Sequence, residues 1–146
     1  MNLKETYLTP GRLVEFRDGT KGFVIPHTFS PNSIVEIAIA YNFGGYDMLS
    51  RWNDNMCNTH IGLRQNNPEY LDIIRVWEVG NAYDLFHPEV WDTANRKCVW
   101  DREGLYTSSD KAISIEEAEK RLGVKIILNP TPKAMSSYAE NNDLPF

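Results

Sequence analysis

Two short runs of alternating residues, Arg12 to Arg17 and Lys21 to Ile25, are separated by Asp18-Gly19-Thr20. Asp and Gly both tolerate a positive φ, so the stretch predicts an antiparallel hairpin closed by a type I′ turn, with Val14 and Phe16 on one face. Thr9-Pro10-Gly11 punctuates the chain before it, and Ser30-Pro31-Asn32-Ser33 makes the next break. From Ile34 to Tyr41, Val35, Ile37 and Ile39 alternate with Glu36, Ala38 and Ala40, a third strand. Leu71 to Val79 is a fourth, with Ile74 and Val76 expected on one face and Ile73 and Trp77 on the other. Between these two strands the chain has no period. It carries Gly44-Gly45, the polar run Asn53-Asp54-Asn55, and Asn66-Asn67-Pro68.

Several short strands set off by glycine and proline turns predict an α+β, mainly β protein built on a small bent antiparallel sheet or an SH3-like barrel. Residues 1–128 read as one β-rich domain, with 9–79 as the sheet or barrel core. Residues 80–110 form an aromatic-rich connection holding Phe86, Trp91 and Trp100. Pro88 suits the first turn of a short helix running toward Ala94, and Lys97 to Arg102 suits one more strand. Residues 114–128 form a helix–strand unit. Ser114 and Glu117 have capping-box spacing, Ile115, Ala118 and Leu122 recur at helical spacing, and Gly123 is a natural left-handed stop. Val124, Ile126 and Leu128 then alternate as a terminal strand. Beyond Asn129-Pro130-Thr131-Pro132 the residues are small, polar and aperiodic, so 129–146 reads as a flexible tail.

At 146 residues the chain is one domain's worth and buries roughly 70% of its unfolded surface, enough to fold without a disulfide or a metal. The net charge of −5 argues against direct binding of nucleic acid, which usually needs a basic face. Two cysteines are too few for a secreted disulfide scaffold, and the first residues carry no apolar signal core. No apolar run is long enough to span a bilayer. The expectation is therefore a cytoplasmic protein that does not meet the membrane.

Cys57, His60, His87 and Cys98 include one pair at metal-ligand spacing, but the second pair is not a knuckle, and the expectation is no metal and no cofactor. A Cys-His nucleophile would need an orienting third group and an oxyanion site, which no motif supplies, and Glu116-Glu117 falls on a solvated helix face. The chain is expected not to be an enzyme. Tyr41, Phe43, Tyr46 and Trp52, with Arg51 nearby, have the mixture of aromatics and cations used in stacking platforms for single strands. The plainer reading, and the favoured one, is that they roof the core.

The tail ends Asp143-Leu144-Pro145-Phe146, with Glu140 shortly before. An aromatic ring and a terminal carboxylate on one residue suit an apolar pocket beside a cation, and the acidic residues suit a basic rim. This end resembles the acidic tip of bacterial single-stranded-DNA-binding proteins, although Asn141 and Asn142 stand where that family has aspartates. The resemblance implies recruitment of replication, recombination or repair proteins through those residues.

The body resembles small bacteriophage and prophage proteins of Firmicutes. The likeness rests on Gly11, Val14, Arg17 and Gly19, then Asp72, Ile73, Ile74, Val76 and Trp77. Val99, Trp100, Arg102 and Glu103 follow, and Ile115, Glu117, Glu119, Leu122, Gly123 and Ile126 end it. It implies phage origin and a bacterial host cell, and brings no catalytic residues. Together the two resemblances imply a phage accessory protein that binds a host DNA-processing protein through its tip. The alternative is an anti-defence inhibitor, either an anti-CRISPR protein acting on a defence nuclease or a protein that sequesters a signal. The oligomeric state is left open.

Overall fold

The computed structural model describes residues 2–27, 36–41, 45–59, 68–106 and 112–125. A short helix, α1 (Leu3–Tyr7), starts on Asn2, whose side chain accepts from the amide of Glu5, and leads into strand β1 (Arg12–Phe16). Strands β2 (Lys21–His27), β3 (Glu36–Tyr41) and β4 (Gly45–Met48) follow as a meander. Then come β5 (Ile73–Val79), α2 (Ala82–Phe86), β6 (Cys98–Asp101) and α3 (Ile115–Leu122). The order across the six-stranded antiparallel sheet is β4-β3-β2-β1-β5-β6. Of the two forms expected from the sequence, the open, bent sheet is the one found. β4 and β6 are its two edges and do not close on each other.

A barrel has one interior; this sheet has a packed layer on each face. On one face Leu13, Phe23, Ala40 and Trp77 pack with Leu85, Trp91 and, from α3, Ala118 and Leu122. On the other, Val14, Phe16, Val24 and Ile73 pack with Leu8, Trp52 and Met56. Both faces of β1 are therefore buried, which is why Leu13 and Val14 are each at 0% exposure. β3 is covered on both sides as well, with Ala38 and Ala40 on the first face and Ile39 on the second.

The β1–β2 hairpin forms where the sequence places it, but its turn is of a different kind. Phe16 N donates to Thr20 O at 2.8 Å and Gly19 N to Phe16 O at 2.9 Å, which leaves a three-residue loop with only Gly19 at positive φ (+88°). This is the turn with a glycine bulge rather than type I′. Asp18 keeps its backbone on the ordinary side and uses its carboxylate on Thr20 N at 2.9 Å. In β2, Gly11 N donates to Val24 O at 2.8 Å, so Val24 turns its backbone groups toward β1. Pro26, two residues on, turns its missing donor the same way, beyond Arg12 where β1 starts, so no ladder bond is lost.

β5 corrects the expected alternation. Glu15 pairs with Arg75 but Phe16 with Ile73, leaving Ile74 as an extra residue; likewise Leu13 pairs with Trp77 and Arg12 with Val79, leaving Glu78 extra. These bulges bring Ile73 and Val76 to one face and put Trp77 on the other. A third irregularity inserts Val99 of β6 between Cys98, opposite Trp77, and Trp100, opposite Val76.

The helix expected from Pro88 toward Ala94 is found earlier, at Ala82–Phe86. Asn81 Oδ1 accepts from Asp84 N at 3.0 Å and Asp84 Oδ2 accepts from Asn81 N at 2.9 Å, a closed capping box that starts α2 at Ala82. α3 lies where its signals put it: the Ser114 side chain accepts from Glu117 N, and Gly123 stops it at φ +72°. The Glu117 carboxylate lies on Arg121 Nε at 3.1 Å. Val124 is buried against the first face, and the strand expected to continue through Leu128 lies outside the described residues, as does the tail. β4 falls in the stretch that shows no period in sequence. It is a strand because β3 pairs with it, Ala38 opposite Met48 and Ala40 opposite Tyr46.

Candidate functional site

Among the described residues, the aromatics of the 41–52 stretch do not share one stacking surface. Trp52 is 1% exposed; its ring lies 5.8 Å from Phe16 in a stacked arrangement and its Nε1 donates to Leu71 O at 2.7 Å. Tyr41 meets the edge of Phe16 at 6.0 Å and its hydroxyl donates to Asp47, which also takes Arg51 Nη1 at 2.6 Å. Tyr46 is packed on the opposite face of the sheet. Residues directly opposite in a ladder share a face, so Tyr46 goes with Ala40, and Tyr41 goes the other way. Phe43 lies outside the described residues. Among the described residues one ring is sealed, two lie on opposite faces and Arg51 is already paired, so these rings do not make one platform for a base.

Of the four residues weighed as metal ligands, Cys57 is half-buried near Asn55, His87 is exposed with its ring tilted against Tyr83 at 4.3 Å, and Cys98 is buried in the first core. His60 lies outside the described residues. Among the described residues no three His, Cys, Asp or Glu side chains gather in a way that could hold a metal. Burial, then the charge of Asp101, pushes the Cys98 thiol up to about 11 from its ordinary 9.0. The thiol is thus neutral at physiological pH and a poor nucleophile.

Two polar clusters with no signature in the sequence are built on the first face of the sheet. In one, Arg75 of β5 meets three carboxylates: Glu15 at 3.3 Å, Asp101 at 3.6 Å and Glu103 at 3.5 Å. Trp77 Nε1 donates to Glu15 at 2.5 Å, and the Arg75 guanidinium lies 5.3 Å from the Tyr106 ring. The register Glu15–Arg75–Asp101 puts these residues in one row across three strands. In the other, Asp84, 1% exposed, receives both Arg96 nitrogens at 2.7 and 2.9 Å. Burial would lower the pKa of Arg96, but the hydrogen bonds and charge of Asp84, helped by Asp92, outweigh it and hold it above its ordinary value. Lys21 Nζ donates to Trp91 O at 2.8 Å and Trp91 Nε1 to Gly22 O at 3.2 Å, fastening the 91–96 segment to β2. Pairs so distant in sequence leave no spacing signal.

Glu140, Asp143, Leu144, Pro145 and Phe146 lie outside the described residues. Among the described residues no helix is long and apolar enough to cross a membrane. Comparison with family models, with curated proteins and with solved structures gives no significant match.

Proposed function

We propose that this chain is a non-enzymatic accessory protein, of the phage kind its body resembles, that works in the bacterial cytoplasm by binding a DNA replication, recombination or repair protein through its C-terminal tip. The observation that carries the reading is the order Asp143-Leu144-Pro145-Phe146, with Glu140 upstream. The Phe146 ring gains by leaving water for an apolar pocket, and in the tip this end resembles, the terminal carboxylate beside that ring makes a charge-assisted bond to an Arg or Lys at the pocket's edge. Pro145 limits the freedom lost on binding, and Asp143 and Glu140 favour a basic rim. The neutral Asn141 and Asn142 predict weaker binding than a run of aspartates gives.

The test titrates a bacterial recombination helicase with three forms: the whole chain, one lacking Phe146, and one extended past Phe146 by a short Gly-Ser stretch. Binding by the whole chain alone is expected. Equal binding by all three overturns the reading.

A further inference from the structure

β6 ends at Asp101, whose side chain has no exposure. Its oxygens accept the backbone amides of Glu103 at 2.9 Å, Leu105 at 2.7 Å and Tyr106 at 2.9 Å, which fixes the course of residues 102–106. On this fixed loop Leu105 is 68% and Tyr106 52% exposed. The Tyr106 ring is seated 6.0 Å from Trp77 and beside Arg75, while half of it faces solvent. The Leu105 side chain and the face of the Tyr106 ring gain by leaving water, and groups already held in place lose little freedom when a partner covers them.

The charge around them is unbalanced. Glu15, Asp101 and Glu103 surround the single guanidinium of Arg75, and Glu103 is exposed. The Arg102 guanidinium is turned away, onto the carbonyls of Ile73 and Asn55 and the Trp100 ring. We infer that the 102–106 loop is a docking surface for a basic protein segment. An apolar side chain of that segment covers Leu105 and Tyr106, and a lysine or arginine reaches Glu103. The excess of carboxylates chooses this occupant: it attracts a cationic peptide and repels nucleic acid. The surface is built by the folded body and does not depend on the C-terminal tip.

The experiment pans a random-peptide display library on the immobilised full chain and then titrates one selected synthetic peptide by fluorescence anisotropy. Enriched peptides are expected to place Lys or Arg beside an apolar residue. Leu105→Ser and Glu103→Lys are each expected to weaken binding roughly tenfold, the size of a modest hot spot, and added salt to weaken it further. Both variants retain the backbone amides that Asp101 accepts, and near-ultraviolet circular dichroism verifies that both keep the fold. Tyr83→Ala, an exposed aromatic on α2, is expected to leave binding unchanged. Absence of enrichment, enrichment of acidic peptides, undiminished binding by both loop variants, or an equal loss in Tyr83→Ala overturns the inference.

Discussion

Removing the carboxylate of Asp84 tests how far one buried ion pair holds the 81–96 region together. Asp84 is 1% exposed and carries three bonds at once: the capping bond from Asn81 N at 2.9 Å and two from Arg96 at 2.7 and 2.9 Å. Taking one partner out of a buried pair typically costs about 3–5 kcal/mol, because the other charge stays behind uncompensated. Here the lower end applies. Arg96 is 17% exposed and keeps Asp92 at 3.6 Å, so the stranded guanidinium retains some solvent and one weak partner. The expected cost of Asp84→Ala is about 3 kcal/mol, of which ~1 kcal/mol belongs to the cap. That is a large share of the roughly 5–15 kcal/mol that holds a domain of this size together.

The assay is urea unfolding at neutral pH followed by tryptophan fluorescence, run as a cycle of Asp84→Ala, Arg96→Leu and the double variant. Once Asp84 is gone, removing Arg96 also removes the stranded charge. The double variant should therefore lose at least ~1.5 kcal/mol less than the two singles summed, far above the scatter of independent sites. Additive losses, or a loss below ~1 kcal/mol for Asp84→Ala, would refute the reasoning.

Gly22→Ala should destabilise by about 1–3 kcal/mol through crowding, since the new methyl would sit 2.7 Å from Ile39 Cγ2 and 3.0 Å from the Ala40 carbonyl oxygen; thermal melting measures it. In the folded protein at neutral pH, a disulfide reagent should titrate Cys57 well before Cys98, and denaturant should release the second thiol. Because the Cys98 thiol is raised from 9.0 to about 11, the folded state keeps its proton where the unfolded chain has lost it. Its contribution to stability is therefore full below pH 9 and declines as pH climbs toward 11, and Cys98→Ala should flatten that part of a stability–pH curve.

The parts of this fold that can be read from the sequence are those whose hydrogen bonds close within a few residues. The β1–β2 hairpin needs only Asp18 and Gly19, and α3 only Ser114 at one end and Gly123 at the other. The Asn81–Asp84 box obeys the same local rule, yet its Asn and Asp are less familiar cap residues at that spacing than Ser and Glu, and Pro88 drew the expected helix past it. The proposed role of the last residues rests on local chemistry too, because Asp143 and Phe146 stand close together in the chain.

Tertiary structure alone decided the rest. Gly45–Met48 is a strand only because β3 lies beside it, and Trp52 is core rather than platform only because Phe16 meets its ring. The bulges in β5 set which side Ile73 and Trp77 take, and they depend on register with a strand some sixty positions earlier in the chain. The row Glu15–Arg75–Asp101 and the loop it supports exist for the same reason. A pairing energy depends on the distance between two groups in space, and sequence spacing carries that distance only within a turn or a few residues.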